Sequence, residues 1–243
     1  MPELPEVEIC ARQLSSRLGG KLIRQVEVRD RKLRLPSDLM GRKVTEICRR
    51  GKFISLRLDD GRRILIHLGM TGWFEFTPPP RYRLAISTDD GTAYFEDPRL
   101  FGEVRVVSAK QEETILAKLG PEPLSPGFDL ACLQHTRRPV KVALLDQRLI
   151  AGIGNMYAVE ALWHAHINPK RPANRLNEDE LRRLKRSILR VLQKAIAYGP
   201  EIYEVQTFKV YDRKGKPCYR CRTPIQRIVL GGRGTYFCPG CQR

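Results

Sequence analysis

At 243 residues, with 42% hydrophobic and 29% charged residues, the chain has the composition of an ordinary globular protein and can bury a sizeable core. Its 44 Lys and Arg against 27 Asp and Glu leave a formal charge of +17, an excess that bears on partners and not on fold. No stretch approaches the roughly eighteen apolar residues of a membrane span, and no apolar secretory segment opens the chain. Seven cysteines without such a segment argue against a disulfide framework, so the expectation is a soluble cytoplasmic protein.

The chain opens MPELPEVE, two prolines and three glutamates in a stretch that most proteins leave frayed. Removal of Met1, which a small second residue permits, would give Pro2 a free secondary amine, a potential nucleophile. Val7, Cys10, Leu14 and Leu18 then recur at helical spacing and Gly19-Gly20 ends the run, which predicts an amphipathic helix from about Pro5 to Leu18. From Lys21 to about Lys110 the pattern turns to short β segments: LIRQVEV, KFISLRL, RILIHL, WFEF, RLAIS, AYFE and EVRVV. Asp59-Asp60-Gly61 and Asp89-Asp90-Gly91 supply hairpin turns. Such a series predicts a sandwich or barrel onto which the first helix packs, and TPPPR at 77–81 reads as a loop.

LGPEPLSPGFD, 119–129, is rich in proline and glycine and reads as an interdomain connection. Further on, Asn177 and Glu180 form a candidate capping box. They open a helix of about twenty residues whose apolar face is Leu181, Leu184, Ile188, Val191, Leu192 and Ala195. The charge is uneven: from Lys170 to the end there are 18 Lys/Arg and 6 Asp/Glu, so net +12 of the +17 lies in this third, the expected footprint for a polyanion. The end of the chain carries Cys218 and Cys221, sixteen intervening residues, then Cys238 and Cys241. Two C-x2-C knuckles at this spacing predict one tetrahedral zinc. Four protein ligands fill its coordination sphere, so the metal is expected to be structural. Between the knuckles, IQRIVLGGRGTYF reads as a hairpin whose Gly231-Gly232-Arg233-Gly234 turn presents one arginine. Cys10, Cys48 and Cys132 read as small buried hydrophobes.

The conjunction of MPELPEVE, AGIGNMYAVEAL at 151–162 and the four-cysteine hairpin resembles the formamidopyrimidine-DNA glycosylase/endonuclease VIII family of base-excision repair, and the PELPEVE form resembles its formamidopyrimidine-DNA glycosylase branch. The resemblance implies an α+β, multi-domain fold: a catalytic β-sandwich domain with an N-terminal helix at 1–118, a linker at 119–130, a helix-two-turn-helix domain at 131–206 and a zinc finger at 207–243. Damaged double-stranded DNA would be the partner, without a membrane, of a monomeric bacterial enzyme found with the nucleoid.

What the resemblance implies for the opening motif is covalent catalysis coupled to acid work. Pro2 attacks C1′, Glu3 supplies protonation, and the resulting iminium permits strand cleavage by β,δ-elimination. Lys52 would contact the lesion's phosphate and assist. Glu6, His67, Lys141, Asn155, Tyr157 and Arg233 would serve DNA binding, the last five against the backbone. Met70, Arg99 and Phe101 would fill the gap left by an extruded nucleotide. Two features depart from the family pattern: Leu100 stands where a second arginine is common, and 198–206, YGPEIYEVQ, is shorter than the loop that closes over flipped 8-oxoguanine. The expected substrates are therefore abasic sites, formamidopyrimidines and hydantoins, with 8-oxoguanine excised under weaker control or only poorly; the alternative is that 198–206 still folds over the base with Tyr203 as the cap. The competing reading is a non-catalytic zinc-finger DNA-binding protein, which gives the N-terminus no role.

Overall fold

Alternation of apolar and polar residues after Gly20 produces antiparallel strands, and the computed structural model describes them within residues 2–33 and 35–243. The chain divides into two compact units, Met1–Lys118 and Leu119–Arg243.

The first unit opens with helix α1 (Leu4–Leu18), which carries Pro5 in its first turn, where proline is tolerated. Eight strands follow among the described residues: β1 (Gln25–Val28), β2 (Val44–Arg50), β3 (Phe53–Leu58), β4 (Arg62–His67), β5 (Trp73–Glu75), β6 (Leu84–Thr88), β7 (Gly91–Glu96) and β8 (Glu103–Ser108). They form two four-stranded antiparallel sheets, β1-β6-β7-β5 and β2-β3-β4-β8. One core joins them to the helix: Val7, Cys10, Leu14 and Leu18 of α1 pack with Ile54, Leu56, Ile64 and Ile66 of one sheet and Phe74, Ile86 and Phe95 of the other. Each such side chain contributes roughly 1.5–3 kcal/mol by leaving water.

All seven expected β segments form, and both aspartate-glycine stretches make hairpin turns, Gly61 and Gly91 taking positive φ. Two elements were not expected. β2 has the sequence VTEICRR, in which only Val44 is fully enclosed, so its charges mask the alternation. Helix α2 (Ala109–Leu116) begins at a Ser108/Gln111 capping box at the end of the β run.

In the second unit α3 (Val140–Leu145), α4 (Asn155–His164) and α5 (Glu178–Ala197) are followed by the short α6 (Ile202–Val205) and a hairpin of β9 (Gln226–Leu230) and β10 (Arg233–Phe237). The Asn177/Glu180 capping box closes both ways, at 2.9 and 3.0 Å, and α5 runs the expected twenty residues. Residues 119–130 pack on this unit. Phe128 and Leu130 are buried, Gly120 N–H donates to the Gln147 carbonyl, and Ala151 N–H donates to that of Pro121. Among the described residues, no helix is long and apolar enough to cross a membrane.

Candidate active site and nucleic-acid interface

The head of α1 is held from two sides. Pro2 is buried, and Glu3, the extended N-cap, is fully enclosed, as is Glu6. Glu6 Oε2 accepts the Glu3 backbone N–H at 2.8 Å and completes a capping box with it. Both carboxylates thus sit where the helix dipole favours negative charge. One turn later, Glu8 accepts Arg49 Nε of β2 at 2.7 Å, and Arg49 Nη1 donates to the Gly51 carbonyl at 3.0 Å. Burial raises the Glu8 carboxyl, but the bonded Arg49 and Arg12 guanidiniums hold it below its usual value. Through Arg49, the helix that carries Glu3 is fastened to the Gly51-Lys52 turn between β2 and β3.

Lys52 lies in that turn, and its neighbour Phe53 pairs with His67 at the end of β4, ring centroids 5.0 Å apart. His67 Nδ1 accepts the Gly69 N–H at 3.2 Å, which leaves the proton of the neutral ring on Nε2, a donor. Burial first, then the Lys52 cation, keeps His67 below its ordinary value and therefore neutral near pH 7. Met70 is half-buried in the loop after β4, whereas Arg99 and Phe101 are exposed in the loop after β7, with the guanidinium 5.2 Å from the Phe101 ring centroid. Leu100 between them is exposed and has φ +58°.

In the second unit Gly154 caps α4 and Asn155 is its first residue. Asn155 Nδ2 donates to the Gly234 carbonyl at 2.9 Å, tying this helix start to the terminal hairpin. The Gly152 N–H donates to Gln147 Oε1 at 2.8 Å. Tyr157 is 2% exposed with its hydroxyl bonded to Gln206, and Lys141 in α3 is fully buried. Arg233 is exposed. The hairpin turn is shorter than the sequence suggested: Gly231-Gly232, with φ +55° and +71°, make a two-residue turn and Arg233 begins β10 opposite Leu230.

Glu160, which sequence reasoning missed, is 4% exposed in α4 and accepts the backbone N–H groups of Lys209, Val210 and Tyr211 at 2.8, 2.8 and 2.9 Å. Its signal was an acid inside the apolar run YAVEALW.

The four terminal cysteines meet as their spacing predicted. Sulfurs about 2.3 Å from one tetrahedral zinc lie roughly 3.8 Å apart. Here all four Sγ atoms fall within 4.8 Å of one another, Cys218 and Cys241 at 3.8 Å and Cys221 and Cys238 at 3.3 Å. Burial opposes ionisation of Cys218, but the backbone N–H groups of Cys221 and Arg220 and the Trp163 indole bring it down to about 6. Cys241 is pushed up by burial and by the neighbouring Cys238 and Cys218 sulfurs. Four thiolates so close require a cation among them, so the donor set fits zinc. Of the remaining cysteines only Cys10 is fully buried; Cys48 and Cys132 are half-buried.

Residues 1–104 match the formamidopyrimidine-DNA glycosylase N-terminal domain, 119–207 the H2TH domain of the same enzymes, and 215–243 the zinc finger found in FPG and IleRS. The formamidopyrimidine-DNA glycosylase of Thermus thermophilus is 43% identical over 264 aligned positions, covering all of this chain and 98% of the relative. The chain belongs to the formamidopyrimidine-DNA glycosylase family. It is accordingly a DNA glycosylase of base-excision repair, and the reading as a bare zinc-finger binder is set aside. That of Chloroflexus aurantiacus is 40% identical, over all of this chain and 98% of the relative. Among solved structures, the Thermus thermophilus MutM (Fpg) protein superimposes with a TM-score of 0.88 at 42% identity, covering 99% of this chain and 98% of the other. Lactococcus lactis Fpg bound to abasic-site DNA gives 0.89 at 33% identity, covering 99% of each chain. The family's α+β architecture and its DNA partner therefore hold for this chain.

Proposed function

We propose that this glycosylase removes oxidised bases through Pro2. The observation that supports it is the enclosure of Pro2 and Glu3 at the head of α1, with Glu6 holding the Glu3 N–H and the Arg49–Glu8 bridge fastening the helix. With Met1 removed, the Pro2 nitrogen bonds to C1′ as the glycosidic bond breaks and the base departs with its electron pair. Glu3 supplies the proton taken up around the departing base and sugar. The nitrogen gives up its own proton to solvent, and its lone pair then forms an iminium as the C1′–O4′ bond breaks and O4′ takes up a proton; the iminium acidifies the C2′ proton. Loss of that proton expels the 3′ phosphate, and a second elimination expels the 5′ phosphate. Lys52 and His67 face the lesion phosphates. Asn155 and Arg233 hold the strand further on, Lys141 and Tyr157 supporting that surface from beneath. Glu6 serves DNA binding by keeping this helix head in place, and one structural zinc, held by Cys218, Cys221, Cys238 and Cys241, keeps the Arg233 hairpin rigid. The enzyme acts as a monomer.

The same reading gives the lesion class. The alignment with the Thermus thermophilus enzyme runs to 264 positions against 243 residues here, so about twenty of its positions have no counterpart. Residues 199–205 form only a 3-10 turn and the single-turn α6, anchored by buried Ile202. Telling 8-oxoguanine from guanine needs bonds to very few atoms, and so short a segment offers few backbone groups to make them. Formamidopyrimidines and hydantoins differ more from normal bases and stack less well, so they need less reading. They are the proposed substrates, with 8-oxoguanine excised under weaker control.

Borohydride trapping on abasic-site DNA tests the mechanism. The expected result is a covalent adduct that maps by mass to Pro2 and is lost when Met1 is retained. An adduct on an internal lysine, or none, would overturn it.

A further inference from the structure

Two loops of the first unit, 68–72 with Met70 and 97–102 with Arg99 and Phe101, end on the same buried ion pair. Asp97 is 2% and Arg83 5% exposed. Asp97 Oδ2 accepts Arg83 Nη1 and the Gly102 N–H, each at 2.7 Å, and its Oδ1 accepts the Thr71 hydroxyl at 2.6 Å. Arg83 Nη1 also donates to the Gly102 carbonyl at 2.8 Å, while Nε and Nη2 hold Asp30 at 2.7 and 2.6 Å. Thr71 Oγ1 in turn accepts the Arg99 N–H at 3.3 Å. The loops also touch directly: a Cβ on Gly69 would lie 2.6 Å from both Phe101 C and Gly102 N, so only glycine allows this approach.

The 97–102 loop is held in a shape it would not choose. Leu100 sits in the left-handed region, which leucine avoids, with its N–H on the Asp97 carbonyl at 3.1 Å. Such a conformation persists only where the surroundings over-determine it. Its effect is to bring Arg99 over the Phe101 ring while both stay exposed. A buried ion pair is a poor source of stability against apolar residues of the same size. What this one supplies is direction, with donors and acceptors aimed at three loops.

We propose that Asp97 and Arg83 are positioning residues that lock Met70, Arg99 and Phe101 into one rigid wedge. The wedge enters the duplex pre-formed as the lesion leaves the stack. This rests on the gap-filling role given to those side chains. A wedge free to yield would follow the duplex and would not separate it, and displacement by about 1 Å can cost roughly 100-fold in rate.

The test compares Asp97→Asn, which keeps the shape but removes the charge facing Arg83 and leaves one acceptor oxygen where there were two, with the milder Thr71→Val. Single-turnover excision of a formamidopyrimidine in duplex DNA is measured beside lyase cleavage of an abasic site in single-stranded DNA, where nothing must be extruded. Fluorescence of 2-aminopurine next to the lesion reports wedge entry. Asp97→Asn is expected to slow duplex excision roughly 100-fold and to abolish the fluorescence change, with single-strand lyase activity retained; Thr71→Val acts in the same direction, less strongly. Equal loss on both substrates, or no loss on either, overturns the proposal. If Met70→Ala and Phe101→Ala leave the fluorescence change intact, the gap-filling reading fails and the proposal with it. If they abolish it while Asp97→Asn and Thr71→Val do not, the positioning role alone fails.

Discussion

Glu160 offers the sharpest test of how the second unit is held together. Its carboxylate sits in α4 and carries the backbone N–H groups of Lys209, Val210 and Tyr211 on the segment that leads to the first cysteine knuckle. Burial pushes the carboxyl up, against the pull of those three donors. Glu160→Ala would orphan all three. Val210 is fully buried, so its N–H loses its partner outright at about 1–3 kcal/mol. Lys209 and Tyr211 are half-buried and recover part of theirs from water. The sum is roughly 3–5 kcal/mol, in the range found when one side of a buried charged contact is removed. Glu160→Gln should cost only about 1–2 kcal/mol. Its oxygen can keep Val210 and Tyr211, both served by Oε1, while its amide meets the Lys209 N–H donor to donor. Hydrogen exchange of the zinc-loaded protein reads this locally. The alanine variant should speed exchange at 209–211 by about 100-fold or more, at 1.4 kcal/mol per tenfold. Urea unfolding should report the same loss. Unchanged exchange at these amides in the alanine variant would refute the anchoring role.

Removal of zinc by a chelator should unfold the β9–β10 hairpin and abolish DNA binding while the first unit stays folded; metal-free protein that binds damaged DNA normally would refute this. His164 carries a pH prediction. Burial first, then the cations of Arg190, Arg220, Lys209 and Lys194, bring it from 6.5 down to about 4. The unfolded chain then binds the proton at higher pH than the folded one, so stability is full above about 6.5 and is lost as pH falls toward about 4. His164→Gln should flatten that part of the stability–pH curve, measured by denaturant titration at each pH, and an unaltered slope would show that the ring is not held neutral.

What the sequence discloses follows from the range of the interactions involved. α1 and α5 could be read because helical period and capping are local, and the cysteine ligands because two knuckles bring their own spacing. β2 was hidden by its charges and α2 by the β run that precedes it. The contacts that hold the site residues could not be read, because each joins distant positions: Arg49 to Glu8, Arg83 to Asp97, Asn155 to Gly234, Glu160 to Val210. Nothing in a single sequence pairs these. Tyr157 shows the same limit. Its place in GIGNMY gave no sign of the bond between its hydroxyl and Gln206, 49 positions further on.

The 27 acidic residues of this chain are outnumbered by 44 lysines and arginines, and three of them are used alike. Glu6 takes the Glu3 N–H, Asp97 the Gly102 N–H and Glu160 three N–H groups in a row, all from buried positions. Each lies beneath a stretch to which the proposed function gives a role: the amino terminus, the Arg99–Phe101 loop and the approach to the zinc knuckle. The arrangement answers a conflict set by the charge of +17. Loops proposed to meet DNA need strong anchors, and charge-assisted bonds are about twice as strong as neutral ones. A carboxylate at the surface would weaken the positive field that draws the polyanion in. Turned inward onto backbone N–H groups, the same carboxylate anchors the loop and leaves the field outside to the arginines and lysines.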